Sequence, residues 1–395
     1  MRALLSTVLV ALLSAGCADA QDQGAREAAP TIPGFATDTS QRIIDLAELR
    51  PGGPGKDGIP ALGMDGPVPL TTQAEAAAWL ADREPVILVR RGEAARIYPV
   101  QILIWHEIAN DTLAGEPLGV TFCPLCYSAV VLDRRVPPGP GGEGRAEPLT
   151  LGVSGMLRHS DMVIYDRETE SLWQQFTGEA LVGELVGTTL QTVPAQIVSF
   201  AQARADAPDA LVLSRDTGHR RDYGRNPYVG YDDASKPPLL YSGREAERVG
   251  FRPMDRIVAV EVPTAEGAAF RAYLADATRA AGVVNDTLGG VPLAVFHTDG
   301  AATALGDAAI AESREVGTTG AFGRRLRHDG TAYELTFRLR DGVVYDAETG
   351  SAWSPTGEAT GGPLAGARLA PLQSHDTFAF AWLAFRPETT VWRSE

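Results

Sequence analysis

Two stretches of this chain repeat each other, and that repetition narrows the possible folds more than any other feature. Asn110-Asp111-Thr112-Leu113 recurs as Asn285-Asp286-Thr287-Leu288. At the same offset Gly115, Pro117, Leu118 and Val120 match Gly290, Pro292, Leu293 and Val295. Further on, D-M-V-I-Y-D-R-E-T-E-S-L-W at 161–173 matches D-G-V-V-Y-D-A-E-T-G-S-A-W at 341–353, and Thr177-Gly178-Glu179 matches Thr356-Gly357-Glu358. Two separate matches in the same order predict two copies of one domain, over 41–213 and 257–395, joined by a polar connector at 214–256. The 42 glycines and 27 prolines favour turns and short strands over long helices. The expected fold is therefore β-rich α+β. It has two similar domains of short antiparallel strands, closed into a small barrel or sandwich, with one or two helices each.

The local patterns of the first copy are legible in order. Residues 41–49 fit a short helix, 51–60 a Gly- and Pro-rich loop, and 72–81 a helix capped by its threonines. Residues 86–90 and 95–98 read as two strands joined around Gly92. Pro99 is suited to open a helix, and Val100, Ile102, Leu103, Ile104, Trp105 and Ile108 are apolar on most of its faces, so it should be buried up to a stop at Asn110-Asp111. Two extended runs, 117–122 and 127–134, flank the cysteines. Residues 137–144 read as a flexible loop and 149–183 as strand and turn.

Cys123 and Cys126, in T-F-C-P-L-C-Y-S-A-V, are the only cysteines besides Cys17. A thiol pair at this spacing serves as a redox dithiol, as metal ligands, or as a disulfide that staples a turn. The β-branched run that follows reads as strand, which argues against a thioredoxin fold. His106, seventeen positions earlier, is either a core histidine bonded to backbone or a third metal ligand and proton acceptor beside the thiols. Copper or zinc would suit such a set. In repeat register Cys123 falls on Thr298, Cys126 on Ala301, His106 on Ala281 and Glu107 on Gly282. Turn residues and apolar strand positions survive in both copies while all four of these groups vanish from the second. The working site therefore belongs to the first copy. Glu107 should face solvent if His106 faces in. Asp166, Thr169 and Trp173 persist in the second copy and read as a turn with a packed aromatic, as Asn110 and Asp111 read as turn and cap residues. The connector's Arg221, Asp222, Tyr223, Tyr228 and Tyr231 read as a solvated, self-paired loop, and His159 as an exposed turn residue.

The motifs W-H-E-I-A-N-D-T, T-F-C-P-L-C-Y-S-A-V, L-G-V-S-G-M-L, V-I-Y-D-R-E-T-E-S-L-W and R-D-Y-G-R-N-P-Y resemble the bacterial family catalogued as domain of unknown function 3179. The resemblance runs from about residue 90 to about 231, with an echo in the second copy, and it implies no established activity. Relatives described as selenoproteins would imply redox work by the cysteine motif, from which this chain departs in carrying ordinary cysteines.

Residues 1–16, with Arg2 and an apolar run to Leu13, read as an export signal too short to span a bilayer. Ser14-Ala15-Gly16-Cys17 resembles a lipobox that would leave Cys17 lipidated, and Ala18-Asp19-Ala20 offers an ordinary cleavage site. Residues 17–40 then form a tether. The protein is expected outside the cytoplasm, in the periplasm or cell envelope, held to the membrane through a lipid anchor. A net charge of −15 without a basic stripe excludes nucleic acid as a partner. Neither a phosphate-binding loop nor a nucleophile elbow is present. The function expected is thiol-redox or metal-handling chemistry through Cys123 and Cys126, against a non-catalytic envelope binding or assembly protein with a structural disulfide.

Overall fold

The computed structural model describes residues 31–138, 145 and 147–393. The leader, Cys17, the start of the tether and most of the loop at 139–146 lie outside the described residues. Among those described, the fold is β-rich α+β, with small open sheets and six short α-helices. The sheets do not close into a barrel: each runs from one end strand to another.

The strand order of the first half recurs in the second. In one sheet Pro85–Arg91 pairs with Ala94–Pro99 on one side and Ala195–Ser199 on the other. Arg256–Thr264 does the same with Gly267–Leu274 and Gln373–Phe378. Both sheets are extended by a short parallel strand, Leu211–Leu213 and Thr390–Val391. The helix Val100–His106 leaves the first of these sheets and Ala275–Ala281 leaves the second. Next, Ile108–Leu113, Glu116–Cys123 and Ser128–Asp133 form a meander that Val283–Leu288, Val291–Thr298 and Thr318–Gly323 reproduce. The third sheet carries the same irregularity in both halves, between Leu172 and Trp173 and between Ala352 and Trp353.

Shared residues explain why both halves fold alike. Asp166 takes the indole N–H of Trp173 at 2.9 Å and the amide and hydroxyl of Thr169. Asp346 does so for Trp353 and Thr349. Asn110 and Asp111 are not turn residues. They lie within a strand, because the helix ends four residues earlier at His106. Asn110 brackets Leu151 as Asn285 brackets Phe337. Asp111 accepts from Arg96 and from the buried Tyr98 hydroxyl, as Asp286 does from Arg271 and Tyr273. Removing one partner strands the other buried donors. Asp111→Ala should therefore cost about 3 kcal/mol in a denaturant titration, and Asp286→Ala less, because Asp286 is the more exposed of the two.

The halves share one core. Cys123, Cys126 and Tyr127 cluster with Ile257, Ala259, Phe378, Phe380 and Trp382. Polar contacts cross as well: the Gln196 amide donates to Thr319 O and Pro355 O, both at 2.9 Å. Two local expectations contract. Only Leu46–Glu48 forms a 3-10 turn within 41–49, and the helix after Thr72 is Gln73–Ala76, opened by a capping box between Thr72 and Glu75. The connector is not a solvated loop, since Tyr223, Tyr228, Tyr231 and Tyr241 pack on the shared core.

Candidate functional site

The meander sets the thiols at the tip of a hairpin. Glu116–Cys123 pairs with Ser128–Asp133, and Cys123 faces Ser128 as the last pair before a four-residue loop. Two turn bonds shape the loop: the Cys126 N–H donates to Cys123 O at 3.3 Å and Tyr127 N–H to Pro124 O at 3.2 Å. Tyr127 closes it in the left-handed region, φ 54°, where a side chain other than glycine is strained. Loop tips ordinarily sit in water. This one is buried, with Cys123 1% and Cys126 0% exposed, and both thiols are free.

The second half does much of the burying. Phe378 N–H and the Thr377 hydroxyl both donate to Cys126 O, at 3.1 and 2.7 Å. The Arg256 guanidinium stacks 4.2 Å from the Tyr127 ring centroid, and Ala304 N–H donates to the Tyr127 hydroxyl at 3.3 Å. Ser160 O lies 3.9 Å from the Cys123 sulfur and 3.5 Å from that of Cys126. The Ser160 hydroxyl is itself tied to Leu239 O of the connector. The sulfurs are thus enclosed rather than set on an open pocket.

Asp161 is the third group of the site. Its carboxylate and the two sulfurs offer ligand atoms that all lie within 4.8 Å of one another. Asp161 Oδ2 accepts from the Gln174 amide at 2.6 Å and from Phe176 N–H at 3.2 Å, while Oδ1 is buried without a partner. Burial pushes this carboxyl up to about 7. Glu107 stands nearby, its carbonyl accepting Phe122 N–H at 2.8 Å. It does not face solvent as the sequence suggested. It is 9% exposed, and burial together with the Asp161 charge pushes it up to about 7. Burial also raises both thiols, with Asp161 and Glu107 adding to the effect at Cys123. The structure thus gathers four acids, and among the described residues no cation forms an ion pair with either carboxylate.

His106 does not join them. Its Nδ1 sits 2.7 Å from Pro60 O and its Nε2 2.6 Å from the Tyr223 hydroxyl. A carbonyl accepts only, so Nδ1 carries the proton and Nε2 accepts from Tyr223. Burial pushes His106 down to about 4, so the ring is neutral and both nitrogens are engaged. His159 occupies a turn and is half-buried against Tyr241 and Phe385.

Asp161 escaped the sequence, and Glu107, named among the four groups lost from the second copy, was turned the wrong way, for different reasons. Asp161 aligns with Asp341, so it looked like retained scaffold. The first-copy hairpin is longer, pairing Arg158 with Asp161, whereas in the second the turn falls on Asp341 and Gly342 themselves. The same residue type is buried in one copy and exposed in the other. Glu107 lies in the left-handed region at φ 60°, and its counterpart is Gly282 at φ 68°. The glutamate standing where the repeat holds glycine, already counted among the groups lost from the second copy, is what marks this left-handed position.

Neither a curated protein nor a solved structure matches the chain. A family model does, over residues 56–389, which takes in both halves and the buried thiol site between them. The chain therefore belongs to the family described as protein of unknown function DUF3179.

Proposed function

We propose that this is an extracytoplasmic metal-handling protein whose first repeat binds one thiophilic cation, zinc or copper, through Cys123, Cys126 and Asp161. The observation that carries the reading is the convergence of those three ligand atoms within 4.8 Å at a buried site whose carboxylates make no ion pair among the described residues. Two thiolates and a carboxylate desolvated together are costly unless a cation compensates them. Thiolate ligands select zinc and copper over harder ions, and a three-ligand set leaves one position of a tetrahedral ion for a further small ligand. Gln174 would orient Asp161 from behind, as outer partners of metal ligands do.

A dithiol redox role has less support. Reactive thiols are partly exposed and have lowered pKa values, while these are enclosed and raised. The test is metal analysis of protein purified without a histidine tag, followed by zinc and copper(I) titration. Cys123→Ser, Cys126→Ser and Asp161→Asn should each lose at least tenfold in affinity, and His106→Ala should keep the stoichiometry. A wild-type protein that binds neither ion but shows a reversible thiol–disulfide titration would return the site to redox chemistry. A protein with neither property would leave a structural role for the pair.

Export and anchoring belong to the same proposal and rest on the lipobox-like run ending at Cys17. Mass spectrometry of the mature N-terminus should find lipidated Cys17. An unmodified start at Gln21 would instead make the protein a freely diffusing one.

A further inference from the structure

The second half has lost the thiols, but the same sheets carry a charged set that the first half lacks. Strand register makes Arg256 the counterpart of Pro85, and Asp376 that of Ile197. His297 is the counterpart of Phe122. Three apolar positions of the first copy have thus become an arginine, a carboxylate and a histidine. All three line a cavity of about 380 Å3. Arg256 is spent on Asp376 through Nε and Nη2, at 3.2 and 2.6 Å, but its Nη1 is buried without a partner. His297 is 4% exposed, and among the described residues neither ring nitrogen has a hydrogen-bond partner; Asp299 Oδ1 lies 3.9 Å from Nε2, beyond hydrogen-bond distance. Burying such groups unsatisfied costs about 1–3 kcal/mol each, so two of them facing one cavity are positioned to hydrogen-bond whatever fills it, water or a ligand.

We infer that this cavity is a binding site for a small zwitterion of amino-acid size. Its carboxylate would be received by Arg256 Nη1 and the His297 ring, and its ammonium group by the carboxylates at the mouth. The charge pattern selects this class. Four arginines and six carboxylates line the cavity. Asp232, Asp255 and Asp376 are paired with Arg314, Arg252 and Arg256, Asp233 and Glu315 with Lys236 and Arg83 from outside the lining, and Arg279 with Asp299; the exposed Asp276 is left as the lining carboxylate without an ion pair among the described residues. A surplus of acids disfavours phosphate or any other multiply charged anion, yet the unspent groups at the floor include hydrogen-bond donors suited to one carboxylate. Burial and the Arg279 charge lower the His297 pKa, so the ring stays neutral and offers one N–H and one acceptor. The inference does not depend on metal at the thiol site. The two are neighbours nonetheless, because Arg256 lies against Tyr127, the residue after Cys126.

Isothermal titration of the full-length mature protein with the common L-amino acids, with acetate and methylamine as half-ligands, tests it. At least one amino acid should bind at one site per chain, at least tenfold tighter than either half-ligand. His297→Phe, which restores the residue of the first copy, should abolish that binding. Asp276→Asn, at the exposed mouth, should weaken the amino acid about fivefold and leave acetate unchanged, and it serves if His297→Phe fails to fold. The inference is overturned if no amino acid binds, if acetate binds as tightly as the amino acid, or if a folded His297→Phe protein binds as wild type does.

Discussion

Replacing Asp161 by asparagine should stabilise the metal-free protein at pH 8 and do little at pH 4. Asparagine keeps the shape and can still accept from Gln174 and Phe176, but it never has to ionise. In the folded chain Asp161 holds its proton up to about 7, from an ordinary value of 3.8. A carboxyl raised by folding leaves stability untouched where both states are protonated. It then removes stability as pH climbs from the unfolded value through the folded one. At about 1.4 kcal/mol per pH unit, the window from 4 to 7 amounts to on the order of 4 kcal/mol. His106 and His375, pushed down to about 4 by burial, act in the opposite sense below about pH 6.5. The comparison is therefore read as the difference between variant and wild type in urea titrations with chelator at each pH. A difference that does not change between pH 4 and 8 would mean that Asp161 is ionised throughout and that the buried acid site is misread. Saturating zinc should reverse the ranking, because the cation stabilises the ionised form that only wild type can offer.

Glu107→Gly should also stabilise the metal-free protein, by about 1–2 kcal/mol near pH 8, by relieving a left-handed glutamate and removing a buried carboxyl. The reciprocal change shows how specific this is. Gly282→Glu should cost more than 3 kcal/mol, since a Cβ there would lie 2.4 Å from Leu339 Cδ2 in a backbone conformation at φ 68°. The gain in the first variant should be accompanied by a loss of metal affinity of about tenfold. A Glu107→Gly protein that is both more stable and fully competent for metal would leave the strained glutamate without a role in the site. Calorimetric unfolding of the two variants, paired with zinc titration of the first, distinguishes these outcomes.

What the sequence made legible was local. The strands on either side of Gly92 and the Pro99 helix announce themselves by alternation, glycine and proline. The Asp166–Trp173 turn does so because it is spelled twice. The cysteine hairpin was visible as two extended runs, but its burial was not. One partner of Cys126 O is Thr377, 251 residues away, and no window of sequence carries that contact. Glu107 was assigned to solvent because helical geometry was extended past His106. The helix stops there, and a left-handed residue turns the next side chain inward. The connector looked polar enough to be a free loop, yet its tyrosines are amphipathic and bury their rings on the core. His106 is a core histidine with both nitrogens satisfied, one of the two readings its apolar helix allowed.

The hydrogen bonds from Thr377 and Phe378 to Cys126 O have a bearing on the order of events during synthesis. The strand that supplies them, Gln373–Phe378, is among the last elements of the chain. Until it emerges and docks, the hairpin tip lacks both donors and the apolar cover of the second half, so the thiols remain open to whatever is dissolved around the nascent protein. Closure then seals in the state the cysteines have reached, with or without an ion. If the site takes the cation proposed above, its occupancy would be set by a race between encounter with that cation and arrival of the C-terminal strand, and any delay of that strand would lengthen the interval for loading.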